Sequence, residues 1–272
     1  MLQENNFQIE KFDSEVLREY DIRGIVDKNI TENTAYTIGR VYGYIVIKKL
    51  NSNKVSLGYD GRLTSPKLFN ALSNGLKDAG IDVMNIGICP TPMLYFADYH
   101  LKSDAAIMIT GSHNPSEYNG FKMVLNKHSF YSDDIQNFQS ILNNNNLEKK
   151  IGSIKNINIK NEYVERVLKN ISINKKLKIS WDIGNGAMGV IIKDLVSNLK
   201  NTENILINEE VDGSFPNHHP DPTVPKNMEQ LIHSVKKNNA DIGLAFDGDG
   251  DRLGVVDNLG NIVWADQYML IL

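Results

Sequence analysis

Lys54-Val55-Ser56-Leu57-Gly58-Tyr59-Asp60-Gly61-Arg62-Leu63-Thr64-Ser65-Pro66 is the stretch whose reading decides the fold. Its first six residues form a short apolar run that reads as a strand, and Asp60-Gly61 suits the turn that ends it. Pro66 suits a first helical turn with Thr64 or Ser65 as N-cap, and Gly80 suits the position just past that helix. The same alternation continues on both sides. Residues 81–86, 105–110 and 121–125 read as strands, and residues 33–50, 66–79 and 92–100 as helices. Strand and helix in alternation predict an α/β unit with a mainly parallel sheet, placed at residues 10–150.

Asn143-Asn144-Asn145-Asn146 then opens a Lys/Asn-rich stretch reaching residue 161, with scattered Ile and no helical period. It reads as a linker with room for one short strand. Beyond it the pattern restarts: helix 162–170, strand 177–182, helix 187–199, strand 204–208, helix 228–238 and strand 241–246. This is a second α/β domain, residues 160–257. Asp60-Gly61, Asp182-Ile183-Gly184 and Asp247-Gly248 each fall where a strand ends, the edge at which open α/β sheets bind ligands. The first two are read as turns, because Asp and Gly make good turns without further function.

At about 150 residues per domain, the 272 residues also suggest two domains. The net charge of −4 argues against a nucleic-acid binder, which shows a basic patch. Cys89 is the one cysteine, so no intrachain disulfide forms, in keeping with a reducing compartment. No apolar run is long enough to span a bilayer, and Met1-Leu2-Gln3-Glu4-Asn5-Asn6 lacks the pattern of a signal peptide. The expectation is a cytoplasmic protein with neither nucleic acid nor membrane as partner.

The sharpest chemical feature is Asp247-Gly248-Asp249-Gly250-Asp251-Arg252. Alternate carboxylates point to one side of an extended segment, and the glycines let it curl. Two like charges about 5 Å apart repel by roughly 3 kcal/mol at an effective dielectric constant of about 20, so three on one strand end call for a cation. Oxygen-only ligands suit Mg²⁺ or Ca²⁺. A calcium EF-hand fails, since Arg252 would stand where Gly is required and Asn258 where the bidentate Glu belongs. Mg²⁺ pairs a few carboxylates with a phosphate oxygen, and Arg252 can bind such a phosphate bidentately. A solvated acidic turn is the bland alternative.

The second feature is Thr110-Gly111-Ser112-His113-Asn114-Pro115, followed by Tyr118-Asn119-Gly120-Phe121-Lys122. An apolar strand delivers a small-residue loop bearing a serine, which suits a nucleophile or a phosphate carrier. Ser112 and His113 are adjacent, and adjacent side chains diverge in extended chain, which disfavours a hydrolytic triad.

These two motifs resemble the signatures of the α-D-phosphohexomutase superfamily. Arg18-Glu19-Tyr20-Asp21-Ile22-Arg23-Gly24 resembles its N-terminal motif, and the segment from Asp212 to Pro222 its second-domain motif. Tyr118-Asn119-Gly120-Phe121-Lys122 resembles the mannose/glucose branch more than the phosphoglucosamine branch. The resemblance implies a phosphoserine at Ser112 and Mg²⁺ held by Asp247, Asp249, Asp251 and a phosphoserine oxygen. It implies interconversion of hexose 1-phosphate and 6-phosphate through a hexose 1,6-bisphosphate, with sugar phosphates as partners.

By motif position, Lys122 and Arg23 are cationic groups near the reacting hydroxyl. Lys122 is the better base candidate if burial among cations lowers its pKa, because arginine rarely deprotonates. Arg252 is a phosphoserine contact, Tyr20 a substrate-side contact, and His113 an orienter of the serine loop. An interdomain ion pair is the bland alternative for Arg23. His218-His219, flanked by prolines, and the Asp182–Gly186 turn, residues 182–186, read as structural.

The expected fold is α/β: two similar, mixed or mostly parallel α/β/α sandwiches plus the start of a third at residues 258–272. Asp257-Asn258-Leu259-Gly260 reads as a hairpin turn, and the helix from about residue 265 meets the apolar Met269-Leu270-Ile271-Leu272. The superfamily has four domains, so the resemblance implies an incomplete enzyme, with a companion chain as the partner that would supply the rest. A non-catalytic remnant or Mg²⁺-binding module is the alternative. A phosphatase with an Asp nucleophile fits less well, since Asp251 occupies the place of its Thr or Val.

Overall fold

Strand β4 (Ala105–Ile109) shows how the sequence pattern becomes structure. All five of its residues are buried. Ala105, Ile107 and Ile109 enter one hydrophobic core, whereas Ala106 and Met108 enter another. This is the period-2 alternation of a strand covered on both faces. The structure is a computed structural model that describes residues 7–270. Ile271 and Leu272 of the C-terminal apolar run, and the polar segment at residues 1–6, lie outside the described residues.

In chain order the first sheet contains β1 (Ile22–Ile25), β2 (Lys54–Tyr59), β3 (Asp82–Ile88), β4, β5 (Tyr118–Leu125), β6 (His128–Phe130) and β7 (Ser153–Asn156). Its order is β1-β5-β4-β2-β3-β7, with β6 paired to β5. Strands β4, β2, β3 and β7 run parallel, and β1, β5 and β6 are joined by antiparallel pairings. The short strand in the Lys/Asn-rich stretch is β7, so the first sheet continues past residue 150.

Helices α1 (Glu32–Leu50) and α2 (Ser65–Asp78) cover one face. Thr31 caps α1 through a reciprocal bond pair with Thr34, and Asn51 ends it in a left-handed conformation. A Cβ on Gly75 would lie 2.1 Å from the Tyr36 carbonyl oxygen, so this glycine is what lets α2 approach α1. Helix α3 (Thr91–His100) covers the other face. It is followed past β6 by the short α4 (Asp133–Gln136) and α5 (Phe138–Asn144).

After α6 (Lys160–Leu168), the second sheet has order β12-β11-β10-β8-β9. Its members are β8 (Leu177–Asp182), β9 (Thr202–Ile207), β10 (Ile242–Phe246), β11 (Leu253–Asp257) and β12 (Ile262–Val263). Strands β9, β8 and β10 are parallel, and β11 and β12 extend the sheet antiparallel. Both sheets therefore share a parallel centre with an antiparallel flank, the mixed α/β architecture expected.

The helix expected over residues 187–199 is broken. Ala187–Val190 is a single 3₁₀ turn, and α7 spans Ile192–Asn198. Gly189 weakens helix at that point, and its N–H bonds the Gly186 carbonyl three residues back. Helices α8 (Glu229–Asn238) and α9 (Ala265–Met269) complete the described chain.

Met93, Leu94 and Ala97 of α3 share one core with Ile179 and Trp181 of β8 and Ile192 of α7. The two sheets are thus joined through apolar packing, which brings the loop after β4 against the loop after β10.

Candidate active site

The serine loop leaves β4 at its carboxyl end. The Thr110 hydroxyl accepts the Ser112 N–H at 2.7 Å, and Asn114 closes the turn by donating its N–H to the Gly111 carbonyl at 2.9 Å. Ser112 takes φ 50°, a left-handed conformation that a non-glycine residue adopts only when its surroundings enforce it. Its Oγ donates to Asp247 Oδ2 at 2.8 Å, and His113 Nδ1 lies 3.3 Å from the same Oγ.

The acidic loop leaves β10 at the corresponding end of the second sheet. Asp247 Oδ1 accepts the N–H groups of Asp251 and Arg252, each at 3.1 Å, and Gly250 turns the chain at φ 71°. Asp247 and Asp249 are fully buried and Asp251 is exposed. One oxygen from each carboxylate falls within 4.8 Å of the others.

Among the described residues this is the one His/Cys/Asp/Glu cluster with the geometry to hold a metal ion. Asp249 Oδ1 is buried and has no hydrogen-bond partner. Burial, then the neighbouring Asp249 and Asp251 charges, push the Asp247 carboxyl up to about 8. A buried, partly orphaned set of hard oxygen donors fits a divalent cation such as Mg²⁺.

Lys122, on β5, donates to Asp249 Oδ2 at 2.7 Å and to Asp251 Oδ2 at 2.6 Å. The condition set for a lysine base, burial among cations, is therefore not met. Burial disfavours its charge, but the two carboxylates outweigh this and hold the ammonium above the ordinary lysine range. Burial disfavours the Asp249 charge too, and Lys122 and the Thr91 hydroxyl more than offset it, leaving that carboxyl low.

Arg23 lies on β1, opposite Gly120 of β5, and forms its ion pair with Asp21 of the same domain rather than across domains. His113 is held below the usual histidine range by burial first, then by Arg252, with Arg23 adding to the effect against the opposing Asp221. Arg252 and Tyr20 are exposed, Tyr20 at 73%. The structure thus brings Ser112, His113, Lys122, Asp247, Asp249 and Asp251 into one bonded cluster. Arg23 stands two strands away from β4, and Arg252 and Tyr20 face solvent.

Thr91 and Arg62 carry no reading in the sequence, while Asp60, read as a turn, and His219, read as structural, also reach the serine loop. Thr91, at the start of α3, donates its hydroxyl to Asp249 and its N–H to the Asp249 carbonyl. Asp60 does hold its turn, through the Arg62 N–H at 3.1 Å, but it also accepts the Gly111 N–H at 3.1 Å. Arg62 is fully buried beneath the serine loop. His219 bonds the His113 carbonyl, while His218 Nε2 lies 2.9 Å from Asp182 Oδ2. The available signal was Asp60-Gly61-Arg62 itself, a strand-end Asp with a charged residue two places on.

The two loops meet at Gly248, where a Cβ would fall 2.5 Å from the Ser112 carbonyl oxygen. That oxygen is itself bonded to Arg62 at 2.8 Å and cannot easily yield. Gly248→Ala is expected to cost about 1–3 kcal/mol through overpacking, read as a lower urea midpoint. An unchanged midpoint would show that the loops are not in contact there.

Comparison with known proteins gives a consistent result. Residues 14–149 match phosphoglucomutase/phosphomannomutase alpha/beta/alpha domain I, and residues 161–260 match domain II of the same family. A phosphomannomutase/phosphoglucomutase of Pseudomonas syringae pv. tomato is 45% identical over 256 residues, covering 94% of this chain and 55% of that protein. A phosphoglucomutase of Neisseria meningitidis serogroup B is 42% identical over 259 residues, covering 94% and 56%. The crystal structure of a phosphoglucomutase/phosphomannomutase family protein from Burkholderia thailandensis superposes with a TM-score of 0.89 at 39% identity. It covers 96% of this chain and 58% of that one. The chain spans about half the length of the curated relatives it matches. Among the described residues, no helix is long and apolar enough to cross a membrane.

Proposed function

The chain belongs to the phosphoglucomutase/phosphomannomutase family, and on that premise we propose that it carries the phosphoryl-transfer centre of a hexose-phosphate mutase. Ser112 is the phosphoryl carrier, in a first domain that extends past residue 150 to include β7. The carboxylates of Asp247, Asp249 and Asp251 hold Mg²⁺, in a second domain whose sheet extends past residue 257 to β12. The observation that supports this most is the 2.8 Å bond from Ser112 Oγ to Asp247 Oδ2, which joins the carrier of one domain to the acidic cluster of the other.

In the transfer, a hexose monophosphate offers its free hydroxyl to the phosphorus on Ser112. The new P–O bond forms to the sugar oxygen as the bond to Ser112 Oγ breaks, and the proton of the sugar hydroxyl ends on Ser112 Oγ, giving a hexose 1,6-bisphosphate and the free serine hydroxyl. After reorientation Ser112 Oγ accepts the other phosphoryl group, and the net change is between the 1-phosphate and the 6-phosphate of glucose or mannose. Bound Mg²⁺ supplies charge stabilisation to the phosphate oxygens. Lys122 and Arg23 contribute fixed positive charge near the transferring group. On this reading Arg252, exposed beside the acidic loop, contacts the phosphoserine, and the exposed Tyr20 meets the sugar phosphate. His113, with Nδ1 3.3 Å from Ser112 Oγ, orients the serine hydroxyl.

The test charges the protein with ³²P-labelled glucose 1,6-bisphosphate and Mg²⁺, removes free ligand, and adds glucose 1-phosphate or mannose 1-phosphate. The label is expected to return as hexose bisphosphate. Release only as inorganic phosphate would contradict the mutase reading and favour hydrolysis. No uptake at all would favour a non-catalytic family member.

A further inference from the structure

We propose that Arg62 is the positioning residue of the serine loop, gathering its carbonyl groups so that the Ser112 hydroxyl is held toward the acidic cluster. This rests on the reading of Ser112 as the phosphoryl acceptor. The Arg62 side chain is wholly buried. Its Nη2 donates to the carbonyls of Ser112 at 2.8 Å and Asn114 at 2.6 Å. Its Nη1 donates to those of Pro115 at 2.6 Å and Tyr118 at 3.0 Å, and its Nε donates to Asp60 Oδ2 at 3.2 Å. All five guanidinium N–H groups are thereby used.

The segment between β4 and β5 has no ladder to satisfy its carbonyls, and buried carbonyls require donors. One planar fork supplies three of them, at Ser112, Asn114 and Pro115, and also reaches the Tyr118 carbonyl at the start of β5. A lysine ammonium, with three donors on a single atom, cannot span the same set. The surroundings are shaped for the guanidinium. A Cβ on Gly111 would lie 2.4 Å from Arg62 Cζ and 2.5 Å from Nε, so only glycine leaves room for it there. Asp60 ties the arrangement together, accepting both Arg62 Nε and the Gly111 N–H on Oδ2. The Phe215 ring of the second domain lies 5.3 Å from Cζ. The left-handed backbone at Ser112 needs such over-determination to persist. Arg62 touches no reacting atom; its effect passes through the backbone that carries Oγ.

Arg62→Lys keeps the charge opposite Asp60 and loses the fork. A misplacement of about 1 Å costs on the order of a hundredfold in rate. Arg62→Lys is therefore expected to slow Ser112 phosphorylation by glucose 1,6-bisphosphate about a hundredfold, with the half-saturating bisphosphate concentration unchanged. Amide exchange at Ser112 and Asn114 is expected to rise about tenfold, the equivalent of one lost hydrogen bond, while β2 and β4 amides keep their wild-type rates. Wild-type loop exchange in the variant, or equal acceleration throughout β2 and β4, would overturn the proposal. If the wild-type protein takes up no phosphate, the carrier reading fails and loop exchange alone decides the role of Arg62. Should Arg62→Lys not fold, Gly111→Ala displaces the guanidinium from the opposite side and must give the same loop-confined pattern. Wild-type exchange in that variant would equally refute it.

Discussion

Ser112→Ala is expected to reduce phosphate uptake from glucose 1,6-bisphosphate to background while leaving the fold and the metal site in place. The substitution removes Oγ, the atom that would carry the phosphoryl group, and keeps the Ser112 N–H and C=O bonds that shape the loop. It leaves Asp247 Oδ2 without the hydroxyl that now bonds it at 2.8 Å, at a cost of about 1–3 kcal/mol. The urea midpoint falls modestly, and Mg²⁺ or Mn²⁺ affinity measured by calorimetry stays within a few-fold. Phosphate retained by Ser112→Ala in a hydroxylamine-labile form would identify an acyl phosphate on a carboxylate. The carrier would then be an Asp nucleophile.

Asp247→Asn is expected to abolish tight metal binding and to flatten the dependence of stability on pH. Asparagine preserves the shape: its Oδ1 can still accept the Asp251 and Arg252 N–H groups, and its amide can donate to Ser112 Oγ. It removes one charge from the cluster, and the loss in affinity should exceed the 10–100-fold typical of an outer-shell substitution. In the metal-free wild type, the Asp247 carboxyl is pushed up from 3.8 to about 8, by burial first and then by Asp249 and Asp251. Between those values the folded state binds more protons than the unfolded state. Stability therefore falls as pH rises through that window, by at most about 1.4 kcal/mol per pH unit. Mg²⁺ must displace this proton, so its affinity should rise with pH up to about 8 in the wild type. In Asp247→Asn both trends should vanish, and the metal-free variant should be the more stable protein at pH 8. Unchanged Mg²⁺ affinity would remove Asp247 from the metal site.

The parts of the molecule that follow from local pattern were legible. Strand β4 and the glycine-bearing loops after β4 and β10 could be read because period-2 apolarity and turn chemistry act over a few residues. Strand β1 could not. Ile22-Arg23-Gly24-Ile25 has little strand character of its own and is held by pairing with Tyr118–Phe121, residues 118–121, across the sheet. The break at Gly189 was missed for a related reason. The adjacent Ala187 N–H bonds the Gly248 carbonyl, a partner from another loop. In the site, residue types were readable and partners were not. Ser112 and Asp247 are 135 residues apart, and Arg62 and Ser112 are 50 apart. Lys122 is legible as a relevant cation, but the sign of its surroundings is not, because its two carboxylate partners come from the other domain. The role of Arg62 is not legible, since nothing in its own segment shows that it reaches beneath a loop following a different strand.

The central claim is that Ser112 and the Asp247, Asp249 and Asp251 cluster act as one phosphoryl-transfer centre. It is tested most directly by peptide mass mapping of the protein after incubation with glucose 1,6-bisphosphate, with Mg²⁺ or with EDTA. The account predicts a single phosphate on the peptide containing Ser112, formed with Mg²⁺ and absent with EDTA. Phosphate on another residue, equal uptake in EDTA, or no phosphate on Ser112 under either condition would contradict it.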